Sequence, residues 1–186
     1  MTASTRRPLV AAGLAAGMLL AGACASHSEA DYPSYASVDE LWQAADLVVE
    51  VTLGPEPRVE RIQVAFPLPG QTLPAGERVG DVYTVHAAEV TVVWKGAADV
   101  GHVVRVKQAG GEHGGTSYPA GDGSALEPGG AYLLFLETYD EVGVPASLVN
   151  PTQGQYPLDP AGQPQALDGN DVTIASADLA ELAGTG

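Results

Sequence analysis

The sequence predicts a mainly β protein, a small antiparallel barrel or sandwich with a short helix at the front of the domain and room for another at its end. Three observations predict it. Strand-length apolar runs rich in Val and Leu recur between residues 47 and 136, separated by Gly- and Pro-rich connections. Their spacing is uneven, as in small barrels and sandwiches. Strands do not alternate with long helices and no segment repeats, so neither a βαβ sheet nor a solenoid fits.

Each element has a local reason. Ser37 followed by Glu40 is the pattern of a capping box. Val38, Leu41, Trp42 and Ala45 then share one helical face, so a helix is expected from Val38 to about Ala45, with Trp42 packed on a sheet. Leu47–Leu53 is β-branched and stops at Gly54-Pro55. Arg58–Phe66 sets Ile62, Val64 and Phe66 on one side, and residues 67–80 make a Pro- and Gly-containing loop. Asp81–Trp94 reads as a long strand with a bend or bulge at Ala87-Ala88, closed by Lys95-Gly96. His102–Gln108 alternates Val104 and Val106 with Arg105 and Lys107. Gly110–Gly130 holds eight glycines, whose ordering costs much conformational entropy. It is expected to be a mobile loop and a partner-contact surface. The apolar strand Ala131–Leu136 follows, then shorter strands near Ala146–Val149 and Gln153–Leu158. Ser176 is placed to cap a last helix through Leu182.

The N-terminus has a separate logic. Arg6 and Arg7 precede the uncharged run Leu9–Ala21. That run is shorter than the roughly 20 apolar residues a spanning helix needs, and it matches the hydrophobic part of an export signal. Cys24, the single cysteine, follows Ala21, Gly22 and Ala23 and has no internal disulfide partner. Leu20-Ala21-Gly22-Ala23-Cys24 resembles the lipobox of bacterial lipoproteins, with Ala21 where Leu is usual. The resemblance implies cleavage before Cys24, fatty acyl groups such as palmitate on its thiol, and attachment to the extracytoplasmic face of the cell membrane. Two acyl chains hold firmly, since each buried CH₂ contributes about 0.8 kcal/mol. Thr5–Val10 also resembles a twin-arginine signal, and both export routes stay open. The expected organisation is a signal peptide over 1–23, a lipidated tether over 24–36 and a single domain over 37–186.

Charge narrows the partners. Removal of residues 1–23 takes away Arg6 and Arg7 and leaves six basic residues against 23 acidic ones, a formal charge of −17. Such a surface repels phosphate backbones and anionic lipid, so nucleic acid is excluded and the membrane partner must be reached through the lipid on Cys24.

Several phrases carry a resemblance over residues 45–136. They are Ala45-Asp46-Leu47-Val48-Val49-Glu50-Val51, Val90-Thr91-Val92-Val93-Trp94-Lys95-Gly96, His102-Val103-Val104-Arg105-Val106, and Gly129-Gly130-Ala131-Tyr132-Leu133-Leu134-Phe135-Leu136. In this order they resemble bacterial surface lipoproteins of uncharacterised function, and the OB-type barrel of tissue inhibitors of metalloproteinases and netrin modules. The resemblance implies an OB-like barrel. It does not carry the inhibitors' activity, which uses the free amine of a disulfide-fixed N-terminal cysteine, whereas Cys24 is expected to carry lipid.

No motif for chemistry stands out. Ser117 and Ser124 lack the Gly-x-Ser-x-Gly frame, and the Gly-rich loop joins strands rather than a strand and a helix, so its glycines do not make a phosphate loop. Glu112 and His113 are the metal-ligand candidates, with Asp122 and Glu127 near them in sequence. Asp168-Gly169-Asn170-Asp171 begins like a calcium loop but has Leu179 where the closing Glu belongs, so an Asp-Gly hairpin turn is expected there. His86 and His102 read as packed or surface histidines. Tyr118, Tyr132, Tyr139 and Tyr156 flank loops and are the candidates for contact with a glycan or protein partner. The function expected is non-enzymatic binding or envelope association without a cofactor. The alternative is an enzyme or metal-binding protein with a dispersed site around Gly110–Gly130.

Overall fold

The computed structural model describes residues 32–63, 80–120 and 123–185. The export signal, Cys24, most of the tether, and the segment with Val64, Phe66 and the 67–79 connection lie outside the described residues. The elements are α1 (Val38–Ala44), β1 (Leu47–Leu53), β2 (Arg58–Gln63), β3 (Gly80–Lys95), β4 (Val103–Ala109), β5 (Gly111–His113), β6 (Thr116–Tyr118), β7 (Ala131–Glu137), β8 (Ala146–Leu148), β9 (Gln155–Pro157) and α2 (Ser176–Gly184).

Five strands close into an OB-like barrel. β1 pairs antiparallel with β3 and with β7, β3 with β4, and β7 with β8. The ring closes between β4 and β8, and this pairing is parallel, which corrects the expectation of an antiparallel barrel throughout. The reason is topological: β8 is antiparallel to β7, and the path from β4 to β7 leaves β8 running in the direction of β4. The closure is two residue pairs long, Val106↔Ala146 and Lys107↔Ser147. β2 extends the sheet from the first half of β3, and β9 pairs β7.

Two apolar clusters explain the unbroken apolar runs. Val49, Val51, Leu53, Leu134 and Leu136 fill the barrel with Val90 and Val106. Val48, Leu133 and Phe135 point outward and are covered by Leu41 of α1, Leu179 of α2, Tyr156, Val172 and Ile174. β1 and β7 are therefore buried on both faces, and a strand buried on both faces loses the polar alternation of a half-exposed one. Fully burying each such side chain contributes about 1.5–3 kcal/mol.

Local details refine the expectations. Ser37 Oγ accepts from Glu40 N at 3.3 Å, but the Glu40 carboxylate accepts from Ala36 N at 2.7 Å, one residue before the cap. Trp42 is partly buried against the outer cluster, as expected. No register shift falls at Ala87-Ala88: the irregularities of β3 lie at Val90–Val92 and Val93–Lys95, opposite β1. At Ala87-Ala88, β3 instead changes partner, since β2 pairs up to Val85 and β1 from Ala88. Gly96 closes β3 with φ +90, and a Cβ there would overlap Asp46 O. The last helix is capped by Ala175, not Ser176, because the Asp178 carboxylate accepts from Ala175 N at 2.8 Å. Asp168–Asn170 forms a turn, with Asn170 N donating to Leu167 O, but no named strands flank it and it is not a hairpin.

The largest correction concerns Gly110–Gly130. Its first half is the β5–β6 hairpin, in which Gly111 pairs Tyr118 and His113 pairs Thr116. Gly110, at φ +91, lets the chain leave β4 and pass under Pro119 O, a position where any Cβ would collide. Thr84 Oγ1 donates to Gly110 O, and Gly111 lies against Val59, so the hairpin folds over the β2–β3 sheet. In the second half Leu126 is 2% exposed and belongs to the barrel core, its N–H donating to Gln108 Oε1 at 2.8 Å.

Candidate binding cleft

A cleft of about 750 Å³ lies where β4 runs past its short closure with β8. β3 and β4 supply its floor, the β5–β6 hairpin and residues 123–128 one wall, and the β7–β8 connection another. The register shows which side chains each strand contributes. Tyr83 and Lys107 stand on the outer face, since Lys107 is paired with Val85 and Ser147. Thr84, His86 and Gln108 stand on the inner face, since His86 is paired with the core residue Val106. All five line the cleft. A cleft can draw on both faces of one strand only where the sheet opens beside that strand, and β4 has no partner on that edge after Lys107.

The outer half is built around one cation. Lys107 Nζ lies 4.4 Å from the ring centroid of Tyr139 and 5.3 Å from that of Tyr83. Tyr139 is held by its hydroxyl, which meets Ser147 Oγ at 2.9 Å and Glu137 Oε2 at 3.2 Å. Burial pushes the Lys107 ammonium below the usual lysine range, with Glu137 and Glu141 acting against that shift. Burial likewise raises the Tyr83 and Tyr139 hydroxyls, so both are protonated donors at neutral pH. Tyr118 closes this side, its hydroxyl accepting from Arg61 at 2.9 Å with the guanidinium over its ring. Tyr32 also lines the cleft.

The inner half is built around His86. It is 3% exposed, and burial holds its pKa below the ordinary value, so the ring is neutral. Its Nδ1 is sealed from solvent and has no hydrogen-bond partner among the described residues. A buried polar atom without a partner costs about 1–3 kcal/mol and calls for an explanation. Gln108 beside it is engaged at both ends, with its Nε2 donating to Ser124 O and its Oε1 accepting from Leu126 N.

The tyrosine candidates divide. Tyr118 and Tyr139 line the cleft. Tyr132 and Tyr156 do not reach it: they are 5% and 0% exposed and belong to the two cores. Tyr132 Oη accepts from Glu127 N, and Tyr156 Oη donates to Val172 O with its ring edge-on to Phe135. Both hydroxyls are engaged within the fold, and both rings are buried away from the cleft. Glu112 and His113 sit on β5, and among the described residues no three His, Cys, Asp or Glu side chains come together as a metal site. Ser117 and Ser124 line the cleft, and among the described residues no histidine or lysine is bonded to either. Sequence reasoning missed Tyr83 and Lys107, whereas His86, expected as a packed or surface histidine, is packed. The one available signal was that Lys107 is one of only two lysines.

Neither a family model, nor a curated protein, nor a solved structure matches this chain.

Proposed function

We propose that this chain is a lipid-anchored, extracytoplasmic binding protein, not an enzyme, and that its barrel cleft takes an uncharged glycan. The observation that carries the reading is the tyrosine-walled cleft on the β3–β4 face, between the segment after β1 and the β7–β8 connection. OB-type barrels bind oligonucleotides and oligosaccharides at this place in the fold. The charge of −17 argues against the first class, because phosphate contacts need basic side chains and, among the described residues, only Lys107 supplies one inside the cleft. Sugars suit the remainder: their C–H faces stack on tyrosine rings, and their hydroxyl oxygens accept from the Lys107 ammonium that those rings flank.

The test is a panel of neutral oligosaccharides titrated into the purified full-length chain and followed by intrinsic fluorescence and NMR. At least one member should bind, and Tyr139→Ala, which alters an exposed ring, should weaken it about tenfold, the upper range of an aromatic contact. Binding that Tyr139→Ala leaves intact would move the site elsewhere. A panel with no binder would end the glycan reading.

A further inference from the structure

We propose that the N-terminal arm, residues 32–36, is a wall of the cleft, with Tyr32 in contact with the bound glycan and Gln153 and Asn150 as the positioning residues that hold the arm there. The proposal rests on the glycan reading above and deepens it: the binding unit begins at Tyr32, five residues before the domain expected from the sequence.

A tether needs only reach, and water satisfies its backbone groups. This arm is instead held by side chains far along the chain. Tyr35 N donates to Gln153 Oε1 at 2.9 Å, and Gln153 Nε2 donates back to Tyr35 O at 2.8 Å. One side-chain amide thus pairs both backbone groups of one residue, as a neighbouring strand would. Asn150 Nδ2 donates to Pro33 O at 3.0 Å, and the Glu40 carboxylate accepts from Ala36 N at 2.7 Å. The two amide partners are themselves fixed. Gln153 is 8% exposed, and Asn150 Oδ1 accepts from the backbone N–H groups of Thr152 and Gln153, which leaves its Nδ2 for the arm. The Tyr35 ring packs against the outer apolar cluster.

The docked backbone delivers Tyr32 to the cleft. Asn150, Thr152 and Gln153 line the seam under the arm, while Pro151 between them lines the cleft. Tyr32 follows directly on the anchored Pro33 and stands near Tyr83, whose hydroxyl it helps to hold above the ordinary range. Tyr83 and Tyr139 flank Lys107 on the outer face, so Tyr32 adds a tyrosine to that same half of the cleft. Its ring is 38% exposed and open to a ligand. Ordering five residues costs conformational entropy, and a passive linker gains nothing from it. A ring fixed before the ligand arrives removes that cost from the binding step.

The full-length chain carrying 3-fluorotyrosine has seven tyrosines and gives seven ¹⁹F signals, with that of Tyr32 assigned by Tyr32→Phe. The probes are cellotetraose, maltotetraose, mannotetraose and chitotetraose, all uncharged. A sugar that binds is expected to shift the Tyr32 signal, and Tyr32→Ala should weaken it about tenfold, the upper range of an aromatic contact. Gln153→Leu should weaken it as much, and in the Tyr32→Ala background it should add nothing, because Gln153 acts through Tyr32. Two glycines inserted between Tyr32 and Pro33 keep every docking bond and carry the ring away, so the same loss is expected there without any change to the domain. Binding that leaves the Tyr32 signal unmoved, or affinity kept in Tyr32→Ala or in the insertion variant, overturns the arm as a wall while the glycan reading stands. Equal losses from Gln153→Leu in both backgrounds overturn the positioning role, since they mark a residue that only supports the fold. If none of the four sugars moves any signal, the glycan reading has failed and this proposal with it.

Discussion

Single side chains in this protein are used sparingly, and the charged ones most of all. Lys95 ends β3 and donates to two carbonyls at the C-terminal end of α1, where the helix dipole is negative and backbone acceptors lack intrahelical partners. Its ammonium also lies 5.8 Å from the Trp42 ring centroid. Lys95→Met keeps the length and removes the charge. It is expected to destabilise the fold by about 1.5–3 kcal/mol, the range for charge-assisted hydrogen bonds, read from a urea midpoint. A midpoint equal to that of the unaltered chain would mean that water replaces the cap at no cost. Arg105 and Glu60, by contrast, meet at 2.6 Å on the surface with both side chains more than a third exposed, and such a pair contributes at most about 1 kcal/mol.

His86 makes a pH-dependent contribution whose sign follows from its burial. Its folded pKa is below the ordinary 6.5 of the unfolded chain. The unfolded state therefore binds more protons near that value, and the neutral buried ring contributes stability that is intact above pH 6.5. This stability is lost as the pH falls from 6.5 through the lower folded value. Urea midpoints taken from pH 7.5 down to pH 5 should decline in the unaltered chain and decline less in His86→Phe. Parallel declines would show that carboxylates, not His86, govern this range.

At the scale of elements, the short closure is the feature with most consequence. β1 is paired along both edges, Val48–Leu53 with β3 and Leu47–Thr52 with β7, whereas β8 meets β4 at two residues. The barrel is thus tight along β1, β3 and β7 and open past Lys107, which is where the cleft forms. The segment after the β5–β6 hairpin seals the other side of that opening by sending Leu126 into the core and Ser124 O toward Gln108 and Gln155. Leu126→Ala is expected to cost about 2–5 kcal/mol, the range for a buried leucine truncated in a core, although the residue lies in no named helix or strand. Calorimetry showing a loss under 1 kcal/mol would mean that this segment is loosely docked. The hairpin itself was not legible in the residues: Gly111–His113 and Thr116–Tyr118 are short and polar, and they pair because Gly110 turns them onto Thr84 and Val59.

For the whole molecule, net charge and the N-terminus set the terms. A surface with 23 acidic and few basic groups gains nothing from anionic lipid, so the proposed residence at a membrane would need a covalent anchor. Cys24→Ala is expected to abolish incorporation of a clickable fatty acid and to release the protein from the membrane fraction. Undiminished labelling in that variant would remove the lipoprotein proposal and leave the cleft argument untouched, because that argument rests on described residues from Tyr32 onward.

The sequence by itself determined the barrel strands, α1 and the acidic character. Those follow from short-range patterns: β-branched runs such as Leu47–Leu53, the Ser37–Glu40 start, and Ala131–Leu136, whose unbroken apolarity reflects burial on two faces. Tertiary structure alone decided the cleft. Four tyrosines flank loops in the same way, yet Tyr132 and Tyr156 turn into the two cores while Tyr118 and Tyr139 face the opening, and nothing local to each residue distinguishes them. Tyr83, His86 and Lys107 acquire their meaning from which strand lies beside them and where that pairing stops. Periodicity reports that a face is covered, but not by what, and the β4–β8 closure joins residues some forty positions apart through two pairs. A pairing so short leaves no pattern in the sequence, and its end opens the cleft.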